Sequence, residues 1–240
     1  MTRLRRGAWV CALVVAGAGV ASFAATETPQ LPRPRPAVET TEPSEPPMEA
    51  EETACLARLR ALDVTFSREP AIDPEGACSV TYPLKVRALG GVELAPEAIL
   101  NCRTAEALAR WTKEVLIPAA DELLGAKPTR ISQASTYVCR TRSNDPDAKL
   151  SEHATANAID IASIAFAGRE PFAIRWRDPT EAEGLFQLAL REGSCRYFTT
   201  VLGPRTNEPH ATHFHFDMAQ RAGGYRLCDL ADANVGGVEP

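Results

Sequence analysis

The sequence predicts an α+β fold: a single domain with a small, mostly antiparallel sheet flanked by helices and stabilised by disulfides. Three observations point to it. Apolar residues recur at helical spacing in three stretches, short strand-like runs lie between and after these, and no internal repeat is present. Six of the seven cysteines fall beyond residue 50, an even number that suits three bridges in an oxidising compartment. The segment 25–53 is rich in proline and glutamate and poor in large apolar residues, so the core must be built from 54–231.

Residues 1–24 carry a basic start (Arg3, Arg5, Arg6), an apolar run from Ala8 to about Val20, and small residues at Ser22 and Ala24. That is the pattern of a secretory signal peptide and implies an exported protein of the periplasm or cell envelope. The apolar run also approaches the lower limit of a bilayer span, so the alternative is an uncleaved N-terminal anchor attached to the membrane. Cys11 lies in this run and is not counted among the bridging cysteines. Residues 25–53 then read as an acidic, disordered linker.

From Ala54 a short helix is expected on Leu56, Leu59 and Leu62, followed by a strand over Cys78–Tyr82. A longer helix is expected over Thr104–Leu124, capped by Thr104, striped by Leu108, Val115 and Leu116, and kinked or divided at Pro118. Strands are expected over Arg130–Tyr137 and Ala158–Ala162. A third helix should follow Asp178-Pro179, run through Leu185, Leu188 and Leu190, and stop before Gly193. Strands over Arg196–Val201 and His213–Asp217 complete the domain, and 232–240 reads as a disordered tail. With 26 basic against 31 acidic residues and a net charge of −5, the chain offers no basic surface for nucleic acid. The six cysteines, Cys55, Cys78, Cys102, Cys139, Cys195 and Cys228, include no C-x-x-C pair, which argues against a zinc ribbon and leaves their pairing open.

The chain has four histidines, and His210, His213 and His215 lie close together; the fourth, His153, precedes Asp160 by seven residues. Histidine and carboxylate together are the usual ligands of a catalytic zinc. On a strand, His213, His215 and Asp217 share one face while Phe214 and Phe216 enter the core. The same alternation puts Ala158, Asp160 and Ala162 opposite Ile159 and Ile161.

Ser151, His153, Ala158 and Asp160 resemble the pattern S-x-H-x-x-G-x-A-x-D of the D-alanyl-D-alanine metallopeptidases, with Ala156 where glycine is usual. His213-Phe-His215 is similar to the H-x-H motif of related murein endopeptidases. Over roughly Cys55 to Leu230 the chain resembles the bacterial extensin-like C-terminal domain family, through Tyr137-Val-Cys-Arg140, Ser151-Glu-His-Ala, Asn157-Ala-Ile-Asp160 and His213-Phe-His215-Phe-Asp217. The resemblance implies a D-Ala-D-Ala metallopeptidase/hedgehog-like fold with one Zn²⁺ per chain on His153, Asp160 and His215. It further implies an open position for a water that zinc makes acidic.

His213 is then the candidate base and Glu208 the runner-up. His210 lines the cleft or takes one of these roles, and Asp217 orients a ligand. Arg140 is the candidate to hold the substrate carbonyl or carboxylate, with Arg142 as the alternative. The dipeptidase branch has a glutamate where Thr212 stands here, so the endopeptidase branch is the better match. The implied partner is peptidoglycan, and the implied reaction is hydrolysis of peptide bonds in its stem peptides or cross-links, endopeptidase ahead of carboxypeptidase. Two other readings stand beside it: a non-catalytic, metal-containing wall-binding domain, and a binding module acting through the proline-rich linker.

Overall fold

A computed structural model of the chain describes residues 48–73 and 75–230. The expected signal or anchor, residues 25–47 of the linker, and the tail 232–240 lie outside the described residues.

The first helix, α1 (Met48–Ala61), starts inside the stretch expected to be linker. Glu49 and Glu51 in its first turn and Arg58 and Arg60 in its last complement the helix dipole, so residues that look like spacer by composition serve as a helix start. Cys55, Leu56 and Leu59 are its buried face. None of the described helices is long and apolar enough to cross a membrane.

Three strands follow that the sequence pattern did not predict: β1 (Val64–Arg68), β2 (Leu84–Leu89) and β3 (Val92–Leu100). β2 and β3 form a hairpin around Gly90 and Gly91, both at positive φ, as a two-residue turn of matching twist requires. Cys78–Tyr82, expected as a strand, makes only an isolated bridge between Val80 and Ile72. Pro96 sits in β3 where its register with β2 breaks, since proline cannot donate to a ladder.

The expected long helix is present but divided. α2 (Cys102–Trp111) is capped by Asn101, whose side chain accepts from the Thr104 N–H, so Thr104 is inside the helix and not its cap. A π-turn over Thr112–Leu116 leads into α3 (Ile117–Leu124), with Pro118 at its start. The wider turn accommodates the proline ring and missing N–H without ending the helix.

β4 (Pro128–Ser135), β5 (Ala158–Phe166) and β6 (Arg169–Ala173) come next. α4 (Ala182–Ser194) runs through Gly193, where a stop was expected. At that position a side chain would collide with Val115, so the glycine lets α4 approach the π-turn. β7 (Thr200–Leu202), β8 (Phe214–Asp217) and β9 (Leu227–Cys228) finish the domain.

Among the described residues nine strands form one sheet in the order β1-β2-β3-β4-β5-β8-β7-β9, with β6 on the far part of β5. It is larger than the small sheet expected and mostly antiparallel; β3–β4 and β7–β9 are the parallel pairs. α2, the π-turn and α4 bury Leu108, Trp111, Leu116, Phe186 and Leu190 in one core with Ile159, Ile161, Phe214 and Phe216. Trp111 packs edge-on against Phe216 and donates from Nε1 to the Leu190 carbonyl at 3.1 Å. This contact locks the helices to the inner face of β8.

The cysteines pair as Cys55–Cys102, Cys78–Cys139 and Cys195–Cys228, with Cα separations of 6.3, 5.6 and 5.7 Å. The first joins α1 to α2 across 47 residues of chain. Loop-closure entropy for that span corresponds to about 4 kcal/mol. Replacing both Cys55 and Cys102 by alanine is expected to lower unfolding free energy by about that amount in urea titrations; an unchanged midpoint would show that the bridge does not stabilise the fold.

Candidate metal centre

β5 and β8 run antiparallel in a register that sets Asp160 opposite His215, Ile159 opposite Phe216 and Ile161 opposite Phe214. The apolar pairs are fully buried on one side of the sheet, and the polar pair faces the other. This is the alternation expected from the sequence, although β8 begins at Phe214 and His213 lies just before it.

His153 comes from a short 3₁₀ turn, Glu152–Thr155, capped by Ser151, whose Oγ accepts the His153 N–H at 3.4 Å. The turn closes at Ala156, which adopts the left-handed conformation (φ 53°, ψ 28°). The position usually held by glycine thus does require positive φ, and alanine takes it at a cost of about 1–2 kcal/mol. The Ala156 carbonyl accepts the Asn101 N–H at 2.8 Å, and Asn157 accepts from the Asn101 side chain at 2.9 Å, so the turn is tied to the start of α2.

These elements bring three donor atoms together. His153 Nε2 lies 3.3 Å from both Asp160 Oδ1 and His215 Nδ1, and His215 Nδ1 is 2.9 Å from Asp160 Oδ1. Metal–ligand bonds of about 2.0–2.1 Å at tetrahedral angles imply ligand–ligand edges of about 3.3 Å, so the spacing fits one small divalent cation. The outer ring nitrogens are also occupied. His153 Nδ1 is 2.6 Å from the Thr136 carbonyl and His215 Nε2 is 3.0 Å from Asp217 Oδ2. Both partners accept, which places hydrogens on those nitrogens and directs lone pairs of His153 Nε2 and a deprotonated His215 Nδ1 toward the centre. Asp217 is itself fixed by the Ala219 N–H at 2.9 Å.

Electrostatics follow from this packing. Burial raises the Asp160 pKa, but hydrogen bonds from His153 and His215 outweigh it and hold the carboxyl below its ordinary range. Burial disfavours the charged form of His215, yet Asp160 and Asp217 on either side raise its pKa to about 9 in the metal-free protein. Asp217 is lowered, its burial being outweighed chiefly by His215. His213, its Nε2 3.7 Å from Asp160 Oδ1, is lowered mainly by burial, with Asp160 opposing and His215 adding to the effect. Burial and the neighbouring imidazoles push His210 down to about 4; its Nδ1 contacts Asn207 Oδ1 at 2.5 Å.

The triad opens on a cleft of about 360 Å³ lined also by Arg140, Arg142, His210, His213, Asp217 and Arg221. All four histidines therefore meet in one place. Arg140 is half-buried; Arg142 is exposed and paired with Glu152 at 3.7 Å. Glu208 is exposed and not part of the cleft lining, because the turn Glu208–His210 presents His210 inward instead. Sequence reading missed Arg221, which follows β8 in a loop with no motif around it, and the backbone carbonyl of Thr136, which has no signature in residue type.

A family model described as extensin-like protein C-terminus matches residues 53–229. No curated protein and no solved structure matches the chain.

In the metal-free protein His215 donates to both flanking carboxylates, so a metal must displace a proton from Nδ1. Apparent affinity for Zn²⁺, measured by competition with a chromophoric chelator, is expected to fall by up to about tenfold per pH unit below about 9 on this account alone. The stabilisation from this raised pKa is fully present below its unfolded value of 6.5 and lost as pH rises through about 9. Metal-free protein should accordingly lose stability over that interval, and a flat profile in both measurements would remove His215 from the centre.

Proposed function

The chain belongs to the extensin-like C-terminal family, and on that premise we propose that it is a zinc-dependent hydrolase of peptide bonds in peptidoglycan stem peptides or cross-links, acting in the cell envelope after export. One observation carries the proposal: three ligand atoms at tetrahedral-edge spacing, each histidine with its outer nitrogen already tied to an acceptor. The resemblance of Ser151-x-His153, Asp160 and His213-x-His215 to the D-alanyl-D-alanine metallopeptidases and murein endopeptidases supplies the substrate class.

His153 Nε2, Asp160 Oδ1 and His215 Nδ1 would hold the Zn²⁺. Bound there, it would supply Lewis acidity at the floor of the cleft, polarising a carbonyl and lowering the pKa of water.

The protein's own groups do the rest. His213 is uncharged at neutral pH because burial lowers its pKa, so its imidazole can take a proton from the attacking water. Asp160, 3.7 Å away, stabilises the imidazolium that results. The same proton is then delivered to the departing amine as the carbon–nitrogen bond breaks and the new carbon–oxygen bond leaves a carboxyl product. Arg140, half-buried at the cleft wall, offers positive charge to the oxygen that becomes negative in the tetrahedral stage. His210, held uncharged by its surroundings, adds a neutral imidazole beside His213 at a ring separation of 5.3 Å.

Two substitutions test distinct parts of this assignment. His215→Ala is expected to abolish stoichiometric zinc binding and the release of new muropeptides from purified sacculi, read by metal analysis and mass spectrometry. His213→Ala should keep the metal and lower kcat by about 10²–10⁴-fold. Undiminished zinc in the first variant would sink the ligand assignment, and undiminished turnover in the second would remove His213 as base.

A further inference from the structure

The cleft carries three guanidinium groups although the chain as a whole has a net charge of −5. Its carboxylates are committed. Asp160 faces His153 and His215, Asp217 faces His215 and the Ala219 N–H, and Glu152 accepts from Asn157 at 2.6 Å and pairs with Arg142. Arg142 is therefore compensated. Arg140 and Arg221 are not: among the described residues neither forms an ion pair, and the groups that hold them are neutral. Arg140 Nη1 donates to the Thr141 carbonyl at 3.4 Å. Arg221 donates from Nη1 to the Thr199 carbonyl at 3.2 Å and from Nη2 to Thr200 Oγ1 at 2.6 Å. Neutral acceptors fix a guanidinium in place without cancelling its charge, which leaves it ready for an anion.

Topology separates the two cations. In the order β4-β5-β8-β7 the triad's Asp160 and His215 are on the two middle strands. Arg140 lies in the segment that follows β4, and Arg221 is bonded to Thr200 at the start of β7. One uncompensated guanidinium thus flanks the candidate centre on each side. A peptide lying across the centre from the β4 side to the β7 side meets Arg140 first and Arg221 last.

We infer that Arg221 is a specificity-determining residue that receives a free carboxylate of the substrate on the β7 side of the cleft. The inference rests on the peptidase reading of the same site. It narrows the substrate to a peptide bearing a carboxylate a short distance from the bond cleaved, and it separates this role from that of Arg140 at the carbonyl. In a stem peptide that carboxylate has two sources: the C-terminal α-carboxylate, and the free α-carboxylate of a γ-linked D-glutamyl residue. A guanidinium takes either as a bidentate, charge-assisted pair and takes the corresponding carboxamide much more weakly.

The test is equilibrium binding to the metal-free protein, where no turnover interferes. The probe is L-alanyl-γ-D-glutamyl-L-lysyl-D-alanyl-D-alanine, compared with two forms amidated at one carboxylate or the other, by isothermal titration calorimetry. One amidation is expected to weaken binding about tenfold or more, and the one that does so identifies the source. Arg221→Gln should weaken the acid peptide by a similar factor and leave that amide unchanged, whereas Arg140→Gln should retain the preference for acid over amide. Arg221→Lys guards against misfolding: keeping charge but losing the two-pronged geometry, it should cut the preference severalfold. Equal binding of the acid and both amides, or a preference in Arg221→Gln or Arg221→Lys as large as in the unaltered protein, overturns the inference. Failure to digest sacculi while the acid preference persists would instead count against hydrolysis and leave the anion site standing.

Discussion

The contact on which the centre and its sheet depend is the cross-strand pair of Asp160 and His215. A carboxylate with only 6% of its residue surface exposed cannot stay ionised without partners, and losing one partner of such a pair costs about 3–5 kcal/mol. The partner is fixed by backbone register, with Asp160 and His215 directly opposed on β5 and β8. A slip of one residue would turn the histidine inward and a phenylalanine outward. Ile159 against Phe216 and Ile161 against Phe214, buried beneath, make such a slip prohibitive. Hydrophobic burial on one face of two strands therefore sets the polar geometry on the other.

Around this pair the remaining parts are held by the backbone more than by side chains. His153 is aimed by the Thr136 carbonyl, by the Ser151 cap and by the left-handed closure at Ala156. Asn101 connects that closure to the helical layer: its N–H reaches the Ala156 carbonyl, and its side chain serves both Asn157 and the first turn of α2. The start of α2 and the ligand turn are thus one hydrogen-bonded unit. Trp111 at the other end of α2 packs on Phe216, whose neighbour in the chain is His215. The helix touches the candidate centre's scaffold at both of its ends.

Those features that arise from periodicity were legible in the sequence. The alternation of Asp160 with Ile159 and Ile161, and of His215 with Phe214 and Phe216, predicts the two faces of β5 and β8 without any tertiary information. Features that depend on long-range pairing were not. β1 and β2 are short, β3 is interrupted by Pro96, Glu93 and Glu97, and their strand state comes from mutual pairing and from the core beneath them. Gly90-Gly91, at the hairpin turn, is a local signal for β2 and β3, but on its own it does not define the strands. Arg221 illustrates the limit for the site: the Thr199 carbonyl and Thr200 hydroxyl orient it, and nothing near it in the chain reports that they will. Glu208 is the converse case, a carboxylate near in sequence that the 3₁₀ turn carries away from the cleft.

The bridge Cys78–Cys139 connects an otherwise irregular segment to the residue immediately before Arg140, and Tyr137 adds a hydrogen bond to the Cys78 carbonyl at 3.2 Å. This cleft wall lies outside the nine strands; the covalent link and the phenol hold it together with backbone hydrogen bonds from Val138 to the His153 carbonyl and from Ser151 to the Arg140 carbonyl. Protein made in a reducing cytosol would lose this link together with the other two bridges, and the wall beside Arg140 would loosen. Inactivity in such a preparation would then report the thiol–disulfide state of the sample and not the chemistry of the triad.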